Sequence, residues 1–383
     1  MLTPSVGETP TDNLYAAVLG TDPLPDIVVG RMAARTTADA DAMVDKTIAY
    51  ETQPPVSPLA TQELFVADSG SQAFEDVLEE LVAHRLPATH TPRRVYLANY
   101  STTAAARADI IGWVNSGVLL TTYMGHGSVS YWSSSVLFQA SDVASLANGP
   151  LETFAVMLDC INGYYAHSFI PYSLAEEWFR WPDRGAIFAW APTGYGYEAD
   201  YRSLSDRLYE QIFSLGQDRA GVAAHQGKIS AVVSDLAQAE ELYSMTFFGD
   251  PAARLALDRD GDVHLDRNDC APNDPAAWAA PTEVGGAVFS ADKASLSWNS
   301  LASQAGPGTV YDVLRGSIKE LPVGTGTSEA CLDDNSAALT WSDSALPMAG
   351  GGFFYLVRGE NVCGVGAYGT QSTGVVRTSP ACP

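Results

Sequence analysis

Two short stretches carry residues that could do chemistry together. "LLTTYMGHGSVSYW", residues 119–132, runs an apolar and β-branched segment into His126, held between two glycines. "TFAVMLDCING", residues 153–163, does the same with Cys160, 34 positions after the histidine. A thiol beside an imidazole can pass its proton to the ring, giving the thiolate nucleophile and imidazolium acid that acyl transfer needs. Gly127 has no Cβ to keep a substrate from the main chain, so its N–H and that of Cys160 are candidates to hold an oxyanion. Asp159 beside the thiol would oppose the thiolate, but strand alternation predicts that its side chain turns to the opposite face. Taken singly, a Gly-flanked histidine reads as a turn residue and a lone thiol as a buried structural cysteine. The pairing of the two on strand ends is what points to catalysis. A metal centre at His126 lacks a second ligand at helical spacing.

For these side chains to meet, their strands must be neighbours that end at one edge of a sheet, where loops are free and roots are fixed. The pattern from about residue 26 to residue 250 predicts such a sheet. "PDIVVGRM", "ELFVAD", "RRVYLAN", "VLLTTYM", "TFAVMLDC" and "GAIFAWAPT" read as short strands. Between them lie helices: one capped by Thr36 or Thr37 with Met43, Val44 and Ile48 on one face, and one with Phe74, Val77, Leu78, Leu81 and Val82 at helical spacing. "TTAAARADIIGWVNSG", "YSLAEEWFRW", "LSDRLYEQIFSLG" and "RAGVAAHQGKISAVVS" continue the alternation. Short strands alternating with longer helices predict an α/β fold with a doubly wound, mostly parallel sheet.

The periodicity stops after residue 257. Residues 258–282 are Asp-rich, punctuated by Gly and Pro, and read as a linker; residues 283–383 carry short β-rich runs ("ASLSWNS", "TVYDVLRGS", "AALTWSD", "GGFFYLVRG") that predict a small all-β sandwich with Trp298, Tyr311 and Tyr355 as core aromatics. In the linker, Asp258, Asp260, Asp262, Asp266 and Asp269 cluster around Gly261. Hard cations such as calcium take six to eight oxygens from a tightly curled loop, so a structural Ca2+ is expected there.

Composition narrows the partners. With 45 carboxylates against 21 Lys plus Arg, the formal charge of −24 repels nucleic acid and anionic lipid. No run approaches the roughly 18 to 20 apolar residues of a membrane span, and residues 1–15 lack the basic start and apolar stretch of a signal peptide. Few charges with abundant Gly, Tyr and Trp suit an extracellular or cell-surface bacterial protein. Of the five cysteines, Cys270, Cys331, Cys363 and Cys382 lie in the last third and could form two disulfides in any of three connectivities, leaving Cys160 free.

The two opening stretches, with their surroundings, resemble the gingipain-type cysteine peptidases, relatives of caspases and legumain. There a strand ends in His-Gly, and the next ends in the nucleophilic cysteine followed by Asn/Thr-Gly and an aromatic. The blocks "TDNLYAAVLGTDPLPDIVVGRMAARTTADADAMVDKTIAYE", "SLAEEWF", "RGAIFAWAPTG" and "FFGDPAARL" fit the family in order, so the resemblance covers roughly residues 11–257. It implies a peptidase domain over residues 1–257, without the family's leading segment, that cleaves a protein or peptide substrate and needs no cofactor for catalysis. His126 becomes the general acid/base, Cys160 the nucleophile, Gly127 part of the oxyanion hole, and Asp68 the acid that orients the histidine. Trp132, Glu198 and Asp200 are the candidates for the substrate pocket, and His167 for its border. "SGSQAF" stands where the Arg-cutting members carry their pocket acid, so that specificity does not transfer. The acidic run followed by "CAP" resembles the loops of thrombospondin type 3 repeats, and the C-terminal region resembles fibronectin type III or immunoglobulin-like modules. The alternative function is a non-catalytic surface or adhesion protein that keeps the scaffold and acts through its β-sandwich.

Overall fold

The computed structural model describes residues 2–3, 7–56 and 59–382; of the segment read for a signal, residues 1 and 4–6 lie outside the described residues. The chain divides into two units, Met1–Leu265 and Asp266–Pro383.

In the first unit, two short paired strands (Leu2–Thr3 and Gly7–Glu8) and a one-turn helix (Asn13–Ala16) precede helix α1 (Thr37–Thr52), whose capping box pairs the Thr36 side chain with the Asp39 amide and the Asp39 carboxylate with the Thr36 amide. There follow β1 (Gln62–Ala67), α2 (Gln72–His84), β2 (Thr91–Tyr96), α3 (Thr103–Ser116), β3 (Leu120–Met124), β4 (Thr153–Leu158), α4 (Leu174–Arg180), β5 (Ala186–Pro192), α5 (Glu198–Tyr209), α6 (Ala220–Val233) and β6 (Met245–Phe248). They form one sheet in the order β6-β5-β4-β3-β1-β2. All neighbours are parallel except β6, which runs antiparallel to β5. Both faces are covered, because alternate strand residues feed two cores. Phe65, Met124, Phe154 and Leu158 pack with α2, α5 and α6 through Phe74, Leu78, Leu204 and Ala223. Leu64, Val66, Tyr123 and Met157 pack with α3 and α4 through Ile110, Val114 and Trp178. The doubly wound α/β reading of the sequence holds, and burial on both faces explains the near-continuous apolar strands.

Two local expectations fail. "PDIVVGRM" is not a strand: only Arg31 makes an isolated bridge, to Phe248 at the sheet edge, and Ile27 is exposed. Pro25 and Gly30 leave too short a run for a ladder. In α1 the buried face is Met43, Lys46, Thr47 and Tyr50, while Val44 and Ile48 are exposed. Lys46 turns inward because its Nζ donates to the carbonyls of Phe179 (2.5 Å) and Ala186 (2.8 Å), an option that a hydrophobic count cannot register.

The acidic run does not stand apart from the first unit up to residue 265, since Leu257 and Leu265 join its core. At the amino edge of the sheet, His90 Nδ1 lies 2.6 Å from Glu63 Oε1, and Nε2 lies 2.9 Å from the Asp258 carbonyl. The start of the acidic loop is thereby tied to the beginnings of β1 and β2.

The second unit contains β7 (Val288–Phe289), β8 (Ser295–Ser297), β9 (Val310–Ser317), β10 (Ala330–Ser336), β11 (Thr340–Ser342), β12 (Phe353–Asn361) and β13 (Gly364–Val365). They make two antiparallel sheets, β7-β8-β11 and β10-β9-β12-β13, around Leu296, Trp298, Tyr311, Val313 and Val357. Strand β10 was not legible in "ACLDDNS": it is an edge strand with register shifts against β9, so its polar side chains face water. Among the three possible connectivities, the pairs are Cys270–Cys363 and Cys331–Cys382, and Cys160 is free. These bridges span 93 and 51 residues, so loop closure gives each about 4 to 5 kcal/mol of stabilisation. The double variant Cys331→Ala/Cys382→Ala is expected to lose about 4 kcal/mol from the second unit in urea unfolding. A loss under 1 kcal/mol would show that the bridge does not constrain the unfolded chain.

Candidate active site

Three strands deliver the central residues to one edge. Ala67 of β1 is in register with Met124 of β3, and Met124 with Leu158 of β4. The Asp68 amide donates to the Met124 carbonyl at 3.0 Å, and the Gly125 amide to the Leu158 carbonyl at 3.2 Å. The regular strands end there, two residues before His126 and Cys160, so both side chains sit in loops that leave paired strand ends. The Cys160 loop is held from its other side by the loop after β5, with the Ile161 amide 3.0 Å from Gly194 O and the Gly163 amide 2.8 Å from Pro192 O.

The His126 loop is fixed through its backbone. Its carbonyl accepts from the Ser133 amide at 2.7 Å and from Tyr123 Oη at 2.6 Å. Asp68, buried at the end of β1, accepts from the His126 amide (3.4 Å), the Ser69 amide (2.7 Å) and Ser133 Oγ (2.9 Å). The bonds of Asp68 thus run to the main chain and Ser133 of the loop that carries the imidazole. The ring is exposed, edge-on to Phe74 at 5.5 Å, and lies where a side chain on Gly70 would collide with it. Gly127 has an equally close neighbour: a Cβ there would overlap the Asp159 carboxylate and the Cys160 carbonyl. That close approach requires glycine.

Cys160 is half-buried and its loop is strained. Ile161, a β-branched residue, has φ 54°, a left-handed conformation that costs on the order of 1 to 3 kcal/mol and persists only where the surroundings enforce it. Asn162 supplies part of that enforcement: its Nδ2 donates to the Ser128 and Tyr131 carbonyls in the hairpin after His126, and its own carbonyl accepts from the Ala175 amide at 3.0 Å. Burial pushes the Cys160 thiol up; the Gly196 amide opposes this, and the carboxyl groups of Asp159 and Glu241 add to it. Asp159 lies beyond the last strand residue, so the two-residue period no longer governs it, and its carboxyl group is buried beside Gly127.

The candidate pocket residues differ in exposure, with Glu198 half-exposed and Trp132 and Asp200 buried. Trp132 is fully buried, stacked 4.5 Å from Tyr123 and packed on Phe138 and Trp178. Glu198 is paired with Arg202 at 3.2 Å. Asp200 is buried and accepts from the Gln238 amide and Nε2 at 2.9 and 3.0 Å. His167 Nδ1 accepts from the Phe169 and Ile170 amides, closing its own loop. Sequence reasoning missed Ser133, Asn162, Tyr201, whose hydroxyl donates to the Asp159 carbonyl, and Glu241, buried with its pKa raised to about 8. Only Asn162 had a signal, as the Asn-Gly after the cysteine.

At the opposite edge, carboxylate oxygens of Asp258, Asp260 and Asp262 lie within 4.8 Å of one another. Asp258 accepts from the Gly261 and Val263 amides, which curls the loop, and Asp262 Oδ2 is buried with no hydrogen-bond partner. Oxygen ligands on a curled loop fit a hard cation. Asp266 and Asp269 belong to the second unit, where the Asp269 amide donates to the Asp266 carbonyl. Cys270 and Cys363 next to Asp269 are joined to each other and offer no thiolate.

The model of peptidase family C25 matches residues 2–256. Gingipain R2 of Porphyromonas gingivalis is 24% identical over 172 residues, 41% of this chain and 22% of the relative. Lys-gingipain of the same organism is 24% identical over 251 residues, 58% of this chain and 14% of the relative. The chain thus spans less than a quarter of these curated relatives. The crystal structure of the Arg-specific cysteine proteinase gingipain R superposes with a TM-score of 0.55 at 17% identity, covering 99% of this chain and 80% of that one. Among the described residues no helix is long and apolar enough to cross a membrane. Since the family model runs through both the His126 and the Cys160 loops and takes in well over half of the chain, the protein belongs to peptidase family C25, the gingipain family.

Proposed function

We propose that this protein is a secreted cysteine endopeptidase that hydrolyses peptide bonds with Cys160 as nucleophile and His126 as acid/base. The observation that carries the reading is the convergence of the loops after β1, β3 and β4, with Gly127 pressed against the Cys160 main chain. In the reaction Cys160 Sγ gives its proton to the imidazole and attacks the carbonyl carbon, and the Gly127 and Cys160 amides receive the oxyanion. The C–N bond breaks as the imidazolium protonates the leaving amine. Water, deprotonated by the imidazole, then splits the thioester and returns the thiol. Asp68 holds the His126 main chain in place for both transfers. Two disulfides suit an oxidising compartment, which supports secretion or surface display.

A structural calcium ion bound by Asp258, Asp260 and Asp262 accompanies this reading. The three carboxylates sit at the amino edge of the sheet through the His90–Asp258 contact, away from the edge that bears Cys160, so the ion would serve stability. The second unit, with three- and four-stranded antiparallel sheets, is read as a fibronectin type III or immunoglobulin-like module.

Iodoacetamide should label one thiol stoichiometrically, with labelling lost in Cys160→Ala and slowed in His126→Ala. Peptide-library cleavage should vanish in Cys160→Ala. Reactivity no greater than that of a free model thiol, with no cleavage, would favour the non-catalytic surface or adhesion protein. Asp68→Ala should lower kcat/KM by about 10- to 100-fold through loss of the loop clamp, on the order of 1 to 3 kcal/mol. A wild-type rate would remove Asp68 from the site. Calcium at 100 times its Kd should stabilise the first unit by about 2.7 kcal/mol, and Asp260→Asn should abolish the shift. Chelation should leave the initial rate at low temperature unchanged. No change in melting at millimolar calcium would overturn the ion.

A further inference from the structure

We propose that Asp159 is a positioning residue of the peptidase site that works as a neutral carboxylic acid: it seats the Gly127 main chain against the Cys160 loop and keeps a second negative charge off the thiolate. The proposal rests on the reading of Cys160 as the nucleophile. Its starting point is a contrast between two aspartates at one sheet edge. Asp68 collects three donors on its carboxylate. Asp159 is fully buried and neither of its carboxyl oxygens has a hydrogen-bond partner. An ionised carboxylate without donors inside a protein is costly enough that the group keeps its proton instead.

The surroundings agree. The titratable groups that face Asp159 are Tyr123 from β3, Tyr201 from α5 and Cys160 itself, and none brings positive charge. Glu241 acts on Cys160 and Asp200 on Glu241, both as carboxyl groups, and Asp68 acts on Tyr123 in the same sense. Lys228 faces Glu241, and its Nζ already donates to the Leu242 and Met245 carbonyls. Burial accordingly holds the Asp159 pKa well above the usual carboxylate range. Geometry supplies the positioning role: the carboxyl group fills the space that a side chain on Gly127 would need, and the Asp159 carbonyl is anchored by Tyr201 Oη. The depth of the oxyanion-binding amides is therefore set from behind by a side chain adjacent in sequence to the nucleophile. An ionised group in that place would disfavour the thiolate.

The sign of the linkage provides the test. In the unfolded chain Asp159 ionises near pH 4, while in the folded chain it keeps its proton, so its contribution to stability is complete below pH 4 and is lost as pH rises toward the folded pKa. Asp159→Asn keeps the shape and has no proton to lose. Melting of the wild type and Asp159→Asn from pH 5 to 8 is expected to show the variant gaining up to tenfold in the folding equilibrium per pH unit. A gap that stays constant, or widens in favour of the wild type, would overturn the neutral acid. If the variant does not fold, the infrared band of a protonated carboxyl in the wild type at pH 7, with the aspartate carboxyls carbon-13 labelled so that Glu241 does not contribute to the shifted band, decides: a shifted band present supports the proposal, and its absence ends it. For the positioning role, Asp159→Asn should keep kcat within about threefold while Asp159→Ala loses tenfold or more with KM unchanged; equal kcat in Asp159→Ala would overturn it. If the wild type cleaves no peptide yet the melting gap opens as described, the peptidase reading fails and the neutral acid stands.

Discussion

The parallel pairing of β3 with β4, with Met124 opposite Leu158, is the constraint on which the rest depends. Parallel strands in register finish level, so the chains leaving them are one strand spacing apart and bound to share an edge. The Gly125 amide on the Leu158 carbonyl extends that pairing one step past the strands. After it the main chains must diverge in a space that already holds the Asp159 side chain, and only glycine fits at position 127. A slip of one residue in this register would turn Tyr123 and Met157 out of their core and separate the two loops.

Around that pairing the fold invests in main-chain control. The His126 loop is held by Asp68, Ser133 and Tyr123, and the Cys160 loop by Asn162, Tyr201 and the Gly194 carbonyl. Few of these groups point at a substrate. They determine where the exposed His126 side chain, the half-buried Cys160 side chain and two amides stand, a placement that packing supplies in advance. The left-handed Ile161 indicates how firmly the loop is held, since an unconstrained isoleucine would not remain there.

The electrostatics of this edge are acidic. Burial is the first thing that acts against ionisation of the half-buried Cys160 thiol, and the Gly196 amide is set against it. The opposite edge has its own carboxylates, Asp258, Asp260 and Asp262, coupled through His90 to Glu63 at the start of β1. The two ends of the sheet thus carry separate groups of carboxyl side chains.

Much of this was legible in the sequence where one physical rule governs one segment. Apolar strands, the α2 stripe from Phe74 to Leu81, the Thr36 cap and the pairing of a Gly-His-Gly loop with a cysteine loop follow from periodicity and local hydrogen bonding. What was not legible depends on partners far along the chain. Lys46 is buried because carbonyls more than 130 residues away accept its protons. Trp132 reads as a pocket residue until Tyr123, Phe138 and Trp178 enclose it, and Asp200 until Gln238 reaches it. The choice among three disulfide connectivities needed the second unit folded. Asp159 illustrates the division most directly: its sequence position beside Cys160 was plain from the start, but whether its carboxyl group faces donors, solvent or a glycine is decided by the neighbouring strand. By itself the sequence determined which residues could do chemistry and the elements that carry them. Only the tertiary structure decided which of them meet, because desolvation and contact are properties of the space between elements.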